Sequence, residues 1–432
     1  MRFIKSFSMT FSSTILLTIF GIFNNIIITR QIGVVDRGKY SVIMNFIMII
    51  ALVLGEGIKR SNTIIVGQNK NYLTNLTSKT LTISFLFLVL LWLVFNLTNF
   101  FDFFLVNISN NLILIAIISI GLYIFWQSLQ ALFLGLQEIK LFNLLLISTI
   151  SITLIINAIG ITFFNFRLNE IMLSYLFASF ITSILGFFYV KNIGQKIVSH
   201  KKVSLNQIIN LGGKSTLSGL SSFVIVRGGI FFSNFYLDPK QTGLYSIALL
   251  FFEIIQKIPN TLGTLVLSRT ANDSAKTDSK NIAKLIRIMF LVNFIFVILL
   301  VFLGKLVIVL LFGKAFNNSY SIILYMLPAF FLIGPSSVIH GFYMGKGYPQ
   351  KIIILNVICG LLTLGLLFIF TEEYGINFVA SVSSIIITIW TIVLILFFKI
   401  DTKFKGSEIL FPSKQDFMYL LNEIKTLFKR MK

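Results

Sequence analysis

Apolar stretches long enough to cross a bilayer recur along the whole chain, at about 9–29, 40–58, 80–99, 112–135, 141–163, 170–190, 213–235, 243–268, 285–304, 320–343, 351–370 and 376–398. A helix rises about 1.5 Å per residue, so roughly 20 apolar residues cover a hydrocarbon core about 30 Å thick. The pattern predicts an all-α polytopic membrane protein of about 12 transmembrane helices.

The eighth window breaks the rule the others obey. Gly243 to Arg269 is long enough to span, yet it carries Glu253 and Lys257 near its middle. At about 100° of rotation per residue, Ser246, Glu253, Gln256, Lys257, Asn260 and Thr264 share one face. A charge at the centre of a membrane helix costs about 2.5–3.5 kcal/mol on insertion scales. A Glu to Lys pair at i,i+4 returns only about 0.2–0.5 kcal/mol in a water-exposed helix. The face therefore needs other polar groups or water, and the helix is expected to wall a hydrated path through the membrane.

The pattern also repeats. RQIGVVDRGKYSV follows the first span and FYLDPKQTGLYSI follows the seventh, which aligns Gly38, Tyr40 and Ser41 with Gly243, Tyr245 and Ser246. FLGLQEIK after the fourth span and YMGKGYPQK after the tenth align Gly135 with Gly345. This order predicts two six-helix bundles related as parallel repeats, 1–190 and 213–398, joined by a basic linker over 191–212. A basic tail over 399–432 follows, whose last part reads as an amphipathic helix lying on an anionic leaflet or docked on a bundle.

Composition narrows the class. The chain of 432 residues is 56% hydrophobic and 12% charged, far from the charge content of soluble domains. Its net charge of +21 comes from 36 Lys and Arg against 15 Asp and Glu. There is no basic soluble domain to carry nucleic-acid binding, so no nucleic-acid partner is expected. The cations instead crowd the N-terminal side of the membrane, which predicts cytoplasmic N- and C-termini. Its start reads as an uncleaved first span. A single cysteine, Cys359, excludes an intrachain disulfide and a multi-cysteine metal site. No Walker, metal-ligand or catalytic-triad pattern occurs, so an ATP-driven pump would need a separate subunit, and no enzyme activity, metal or cofactor is expected. Coupling to an ion gradient or the membrane potential is the remaining source of energy.

Several further residues carry candidate chemistry. Arg227 lies well inside the seventh span, and an intramembrane arginine is functional by default. Its planar fork suits a phosphate better than a lysine does. In the second span Asn45, Glu56 and Lys59 share a stripe with Ser41, and in the first Asn25 shares one with Thr14 and Gly21. Such stripes either line a path or glue helices together. Arg30, Lys59 and Arg60 sit near span ends, where they either contact cargo or anchor at the interface. His340, alone near the end of the tenth span, is expected to pack and not to relay protons.

The segment TRQIGVVDRGKYS, its echo TGLYS, the twelve spans and the basic loops resemble the polysaccharide-export flippases of the multidrug/oligosaccharidyl-lipid/polysaccharide (MOP) superfamily, of the Wzx O-antigen type. The resemblance implies a MATE-like fold of two six-helix bundles around a central cavity lined by the first, second, seventh and eighth helices. It implies alternating access in the bacterial inner membrane, with undecaprenyl-pyrophosphate-linked oligosaccharide as cargo. Partners would be membrane lipids, that glycan and polysaccharide polymerase machinery. Arg30, Asn25, Asn45, Lys59, Arg60, Arg227, Gln256, Lys257 and Asn260 become substrate or cavity candidates. Glu56, Glu253 and Lys257 become gating or ion-coupling candidates. Two other classes stand beside this one. A cation-coupled multidrug exporter of the same superfamily would be expected to hold acidic and aromatic groups in its lumen. A polysaccharide polymerase or ligase would be expected to carry a long external loop, which the sequence lacks.

Overall fold

The computed structural model describes residues 2–195, 197, 202–272, 279–347 and 349–410, with side chains described except at 2–12, 102–103, 205–207, 209–215, 268, 271–272 and 349. Within it the helices run α1 (Arg2–Gln68), α2 (Leu73–Leu97), α3 (Phe100–Phe104), α4 (Asn110–Gly135), α5 (Ile139–Phe164), α6 (Leu168–Gly194), α7 (Leu205–Tyr236), α8 (Pro239–Asn272), α9 (Ser279–Phe312), α10 (Ser319–Gly345), α11 (Pro349–Thr402) and α12 (Gly406–Leu410). The amphipathic end of the tail, and Lys196 and Lys201 of the basic linker, lie outside the described residues.

Nine helices among the described residues are long and apolar enough to cross a membrane. Two of them, α1 with 67 residues and α11 with 54, are each far longer than a bilayer is thick. Each is broken at one glycine, Gly33 (φ 73°, ψ −174°) and Gly375 (φ 69°, ψ −163°). Each therefore supplies two spans. Among the described residues the nine helices thus supply eleven spans, and α8 is long enough to cross but too polar to stand among the nine. The protein is an all-α polytopic membrane protein, as the hydropathy pattern predicts.

Backbone conformations near those of Gly33 and Gly375 are populated almost only by glycine, and a side chain there costs about 1–3 kcal/mol. Gly33→Ala is therefore expected to lower the melting temperature of the detergent-solubilised protein. Gly21→Ala is the control, since nothing lies within 4 Å of its added Cβ and its φ is ordinary. Equal melting of both variants would remove strain at Gly33 as the explanation of the break.

The chain divides into two compact units: Met1–Phe223 with Ile230–Ser246, and Val224–Gly229 with Ile247–Lys432. In the first, α4 is largely enclosed, because its small residues admit neighbours closely. Added Cβ atoms at Gly121 and Gly135 would lie 3.0 Å from Leu88 and 2.6 Å from the Thr63 carbonyl. Lipid offers no hydrophobic drive between helices, so close backbone approach and interhelical hydrogen bonds replace it. Asn62 donates to Thr80 (3.1 Å), Thr149 to Thr182 (3.0 Å) and Asn157 to Asn24 (3.0 Å). Leu73, Leu76, Leu129, Leu132 and Phe133 fill the space near one end of these helices.

The second unit uses the same devices. A Cβ at Gly341 would lie 2.1 Å from the Gly263 carbonyl oxygen, and one at Gly263 2.5 Å from that of Ser337, so α8 and α10 touch backbone to backbone. Asn293 donates to the Phe330 carbonyl (2.8 Å), and Trp390 Nε1 to Asn356 Oδ1 (2.8 Å). His340 stands beside Trp390, ring centroids 6.1 Å apart. Cys359 is buried on α11. Outward-facing Phe, Leu and Ile are plentiful in both units, among them Phe85, Phe163, Phe302 and Phe368. In a bilayer these are the lipid-facing surface.

The repeat extends to cap geometry. The helices α4 and α10 end at the aligned glycines Gly135 and Gly345, and two residues later Gln137 (φ 61°) and Gly347 (φ 80°) both turn left-handed.

Candidate functional site

The hairpin of α7 and α8 sets the position of the charged groups. Asp238 caps α8, its carboxylate accepting from the Gln241 amide (2.7 Å) and the Gln241 side chain (3.2 Å). Pro239 follows at the first helical position, where its fixed φ and missing N–H are harmless. Ser233 and Thr242 hydrogen-bond across the turn at 3.1 Å. In an antiparallel hairpin, residues equally far from the turn lie side by side, which sets Arg227 opposite the region of residue 248. Glu253 is about five residues deeper, a rise of roughly 7.5 Å. A long arginine side chain covers most of that distance.

The structure shows it doing so. Arg227 Nη2 lies 2.7 Å from Glu253 Oε1, with the two side chains 24% and 30% exposed. Both residues belong to the second unit. Lys257, one turn further along α8, is within electrostatic reach of Glu253. Asn260, a turn beyond, accepts from the Ser337 hydroxyl of α10 at 3.0 Å. Gln256 is half-buried on the same helix. Between them Pro259 has no N–H to give the Ile255 carbonyl, which frees a polar backbone group in this stretch. Two cations, one carboxylate and two amides thus occupy the middle of a spanning hairpin.

Sequence reasoning places Glu253 with Lys257. The structure adds Arg227 as the partner at ion-pair distance, and so brings together two candidates read separately. The signal was available in the depth of each residue below the turn, although not in the rotation of α7.

The first-half candidates lie in the other unit. Lys59 pairs with Glu56 at 3.0 Å within one helix turn, with side chains 40% and 27% exposed. Arg30 and Arg60 are exposed. Asn25 and Asn45 donate to the carbonyls of Gly21 (2.8 Å) and Ser41 (2.7 Å), one turn back on their own helix. Local bonds of this kind satisfy an amide inside a membrane helix. Arg37, in the same motif as Arg30, carries no signal of its own in the sequence and is more deeply buried. Its Nε donates to Ser246 Oγ at 3.2 Å, and its guanidinium lies 5.3 Å from the centre of the Tyr40 ring. Its neighbour Gly38 faces Gly243. A Cβ at Gly38 would be 1.8 Å from the Pro239 carbonyl oxygen, and one at Gly243 2.0 Å from that of Val34. The repeated motifs therefore meet each other, and Arg37 fastens the meeting. Among the described residues no cluster of His, Cys, Asp and Glu could hold a metal ion.

The family described as "Polysaccharide biosynthesis protein" matches residues 3–268. Curated proteins give no match by sequence. Among solved structures, an inward-facing multidrug resistance MATE family transporter of the MOP superfamily is 16% identical with a TM-score of 0.70, covering 90% of this chain and 94% of its own. The lipid II flippase MurJ, in an inward closed conformation, is 19% identical with a TM-score of 0.67, covering 98% and 91%. A MOP superfamily transporter from Pyrococcus furiosus, whose binding pocket is described as reversed in polarity, is 16% identical with a TM-score of 0.61, covering 90% and 93%. At these identities the likeness establishes the fold, which is that of the MOP transporters.

Proposed function

The chain belongs to the polysaccharide biosynthesis protein family, and from that premise we propose that it is a flippase for an undecaprenyl-pyrophosphate-linked oligosaccharide of the O-antigen or capsule type. The observation that carries the reading is the ion pair of Arg227 and Glu253 beside Lys257 within membrane-spanning helices. A lipid-linked glycan needs a cationic seat for its phosphates, amides and hydroxyls for its sugars, and an apolar route for its tail. Arg227 is the phosphate contact, Lys257 is the second cation of the cavity and the partner of Glu253, and Gln256 and Asn260 are available to sugar hydroxyls. Glu253 acts as the gating or coupling carboxylate. In the first half, Arg30, Asn25, Asn45, Lys59 and Arg60 are proposed as further substrate or cavity residues, and Glu56 as a further gating or coupling carboxylate. The repeats support two bundles, 1–190 and 213–398, working by alternating access in the bacterial inner membrane with both termini cytoplasmic. MurJ, by its name a lipid II flippase, has the same fold.

A multidrug exporter is the second reading, since a MATE transporter shares the fold equally well. The excess of cations in the α7–α8 cluster disfavours cationic drugs as cargo. Depletion of the protein separates the readings. Mass spectrometry of lipid extracts is expected to show a polyprenyl-pyrophosphate-linked glycan accumulating while surface polysaccharide falls. Drug hypersensitivity with no such lipid would instead establish an exporter, and shortened surface polymer would establish a polymerase.

A further inference from the structure

A guanidinium binds a carboxylate and a phosphate oxygen by the same charge-assisted contact, at about 2.7–2.9 Å. Glu253 already makes that contact with Arg227 at 2.7 Å. A phosphate arriving at Arg227 therefore meets an occupied seat. Displacement would leave the Glu253 carboxylate, only 30% exposed, without the guanidinium, and a partly desolvated charge is costly when unpaired. One turn away on the same helix stands Lys257, within electrostatic reach of Glu253. Residues four apart on a helix are neighbours, and Glu N-terminal to Lys is the favourable order.

We propose that Glu253 is the resident anion of this site: in the unloaded protein it holds the Arg227 guanidinium, a phosphate of the polyprenyl-linked cargo displaces it, and the freed carboxylate passes to Lys257. The inference rests on the cargo class proposed above and adds how the site handles charge. Binding becomes an exchange of one anion for another, so Arg227 has an anionic partner at every stage. When the phosphate departs, Glu253 returns and prevents its recapture. The same carboxylate thus weakens binding and hastens release, which suits a carrier and would be a defect in a storage site.

Binding of inorganic pyrophosphate to the full-length protein in nanodiscs, followed by calorimetry, tests this. If Glu253 occupies Arg227 about nine-tenths of the time, its removal raises apparent affinity about tenfold. Glu253→Gln is thus expected to bind about tenfold more tightly than the native chain, and Arg227→Ala to lose binding. The hand-off has its own signature in a double-mutant cycle. Lys257→Gln should weaken binding several-fold in the native background, where Glu253 then has nowhere to go, and have little effect in the Glu253→Gln background. Native-like melting of each variant shows that the fold is intact. Binding by Glu253→Gln no tighter than native overturns the proposal. An equal loss from Lys257→Gln in both backgrounds also overturns it, by making Lys257 a direct phosphate contact. Undiminished binding by Arg227→Ala would refute the phosphate seat itself, which is a failure of the proposed function and a different result.

Discussion

Replacing Arg227 by alanine is expected to abolish surface polysaccharide and to make the lipid-linked precursor accumulate, with the protein still present in the membrane. The substitution removes the cation at the centre of the α7–α8 hairpin and leaves Glu253 without its partner at 2.7 Å. Truncating one member of a desolvated charge pair at a binding site costs about 2–5 kcal/mol, some 30-fold or more in affinity. The pair is partly exposed, so the lower part of that range applies. Arg227→Lys should give an intermediate phenotype, because it keeps the charge and loses the two-pronged geometry. Surface glycan and precursor pools read from the same cells settle the matter: native levels of both in Arg227→Ala would remove the residue from the transport mechanism.

The second large effect is expected at the meeting of the repeated motifs. The obstacles there are main-chain carbonyls, 1.8 Å from an added Cβ at Gly38 and 2.0 Å from one at Gly243. A side chain can rotate away from an intruding methyl, but a helix backbone must move as a whole. Overpacking in general costs about 1–3 kcal/mol, and a collision with backbone lies at or above the top of that range. Gly38→Ala should lower the melting temperature in detergent by several degrees and loosen the Arg37 to Ser246 hydrogen bond. Gly38→Leu should leave little folded protein. The double variant Gly38→Ala with Gly243→Ala should lose less than the sum of the single losses, because one separation of the helices relieves both clashes. Strictly additive losses, or melting like that of the native chain, would show that these helices do not cross as described.

The helices were legible in the sequence because lipid imposes a single requirement on every span, a length of apolar residues that closes its own hydrogen bonds. The breaks at Gly33 and Gly375 were legible only as gaps between apolar windows. The backbone conformation that makes them depends on geometry a hydropathy profile does not contain. The repeat of GKYS and GLYS was visible as letters, but not that Gly38 and Gly243 would press against each other. Contact between two segments 205 positions apart is a tertiary fact. The polar face of α8 was clear from periodicity. The pairing of Glu253 with Arg227 was not, because a helical wheel fixes neighbours on one helix and leaves the rotation of the next helix free. The burial of Arg37 to 4% exposure has no signal in the sequence for a related reason, since its hydrogen-bond partner Ser246 is on a helix far away in the chain.

The burial of Cys359 supplies a practical reagent. It is the one cysteine of the chain, and it is 1% exposed on α11, within a membrane-spanning stretch. A maleimide is attacked by the hydrated thiolate, so with Cys359 buried the native protein should stay almost unlabelled in intact cells. A cysteine introduced at a loop position such as Lys70, Glu372 or Lys403 would then report its side of the membrane to an impermeant maleimide against a silent background. Labelling from outside at Glu372, with Lys70 and Lys403 protected until the cells are opened, is the outcome that the distribution of basic residues requires.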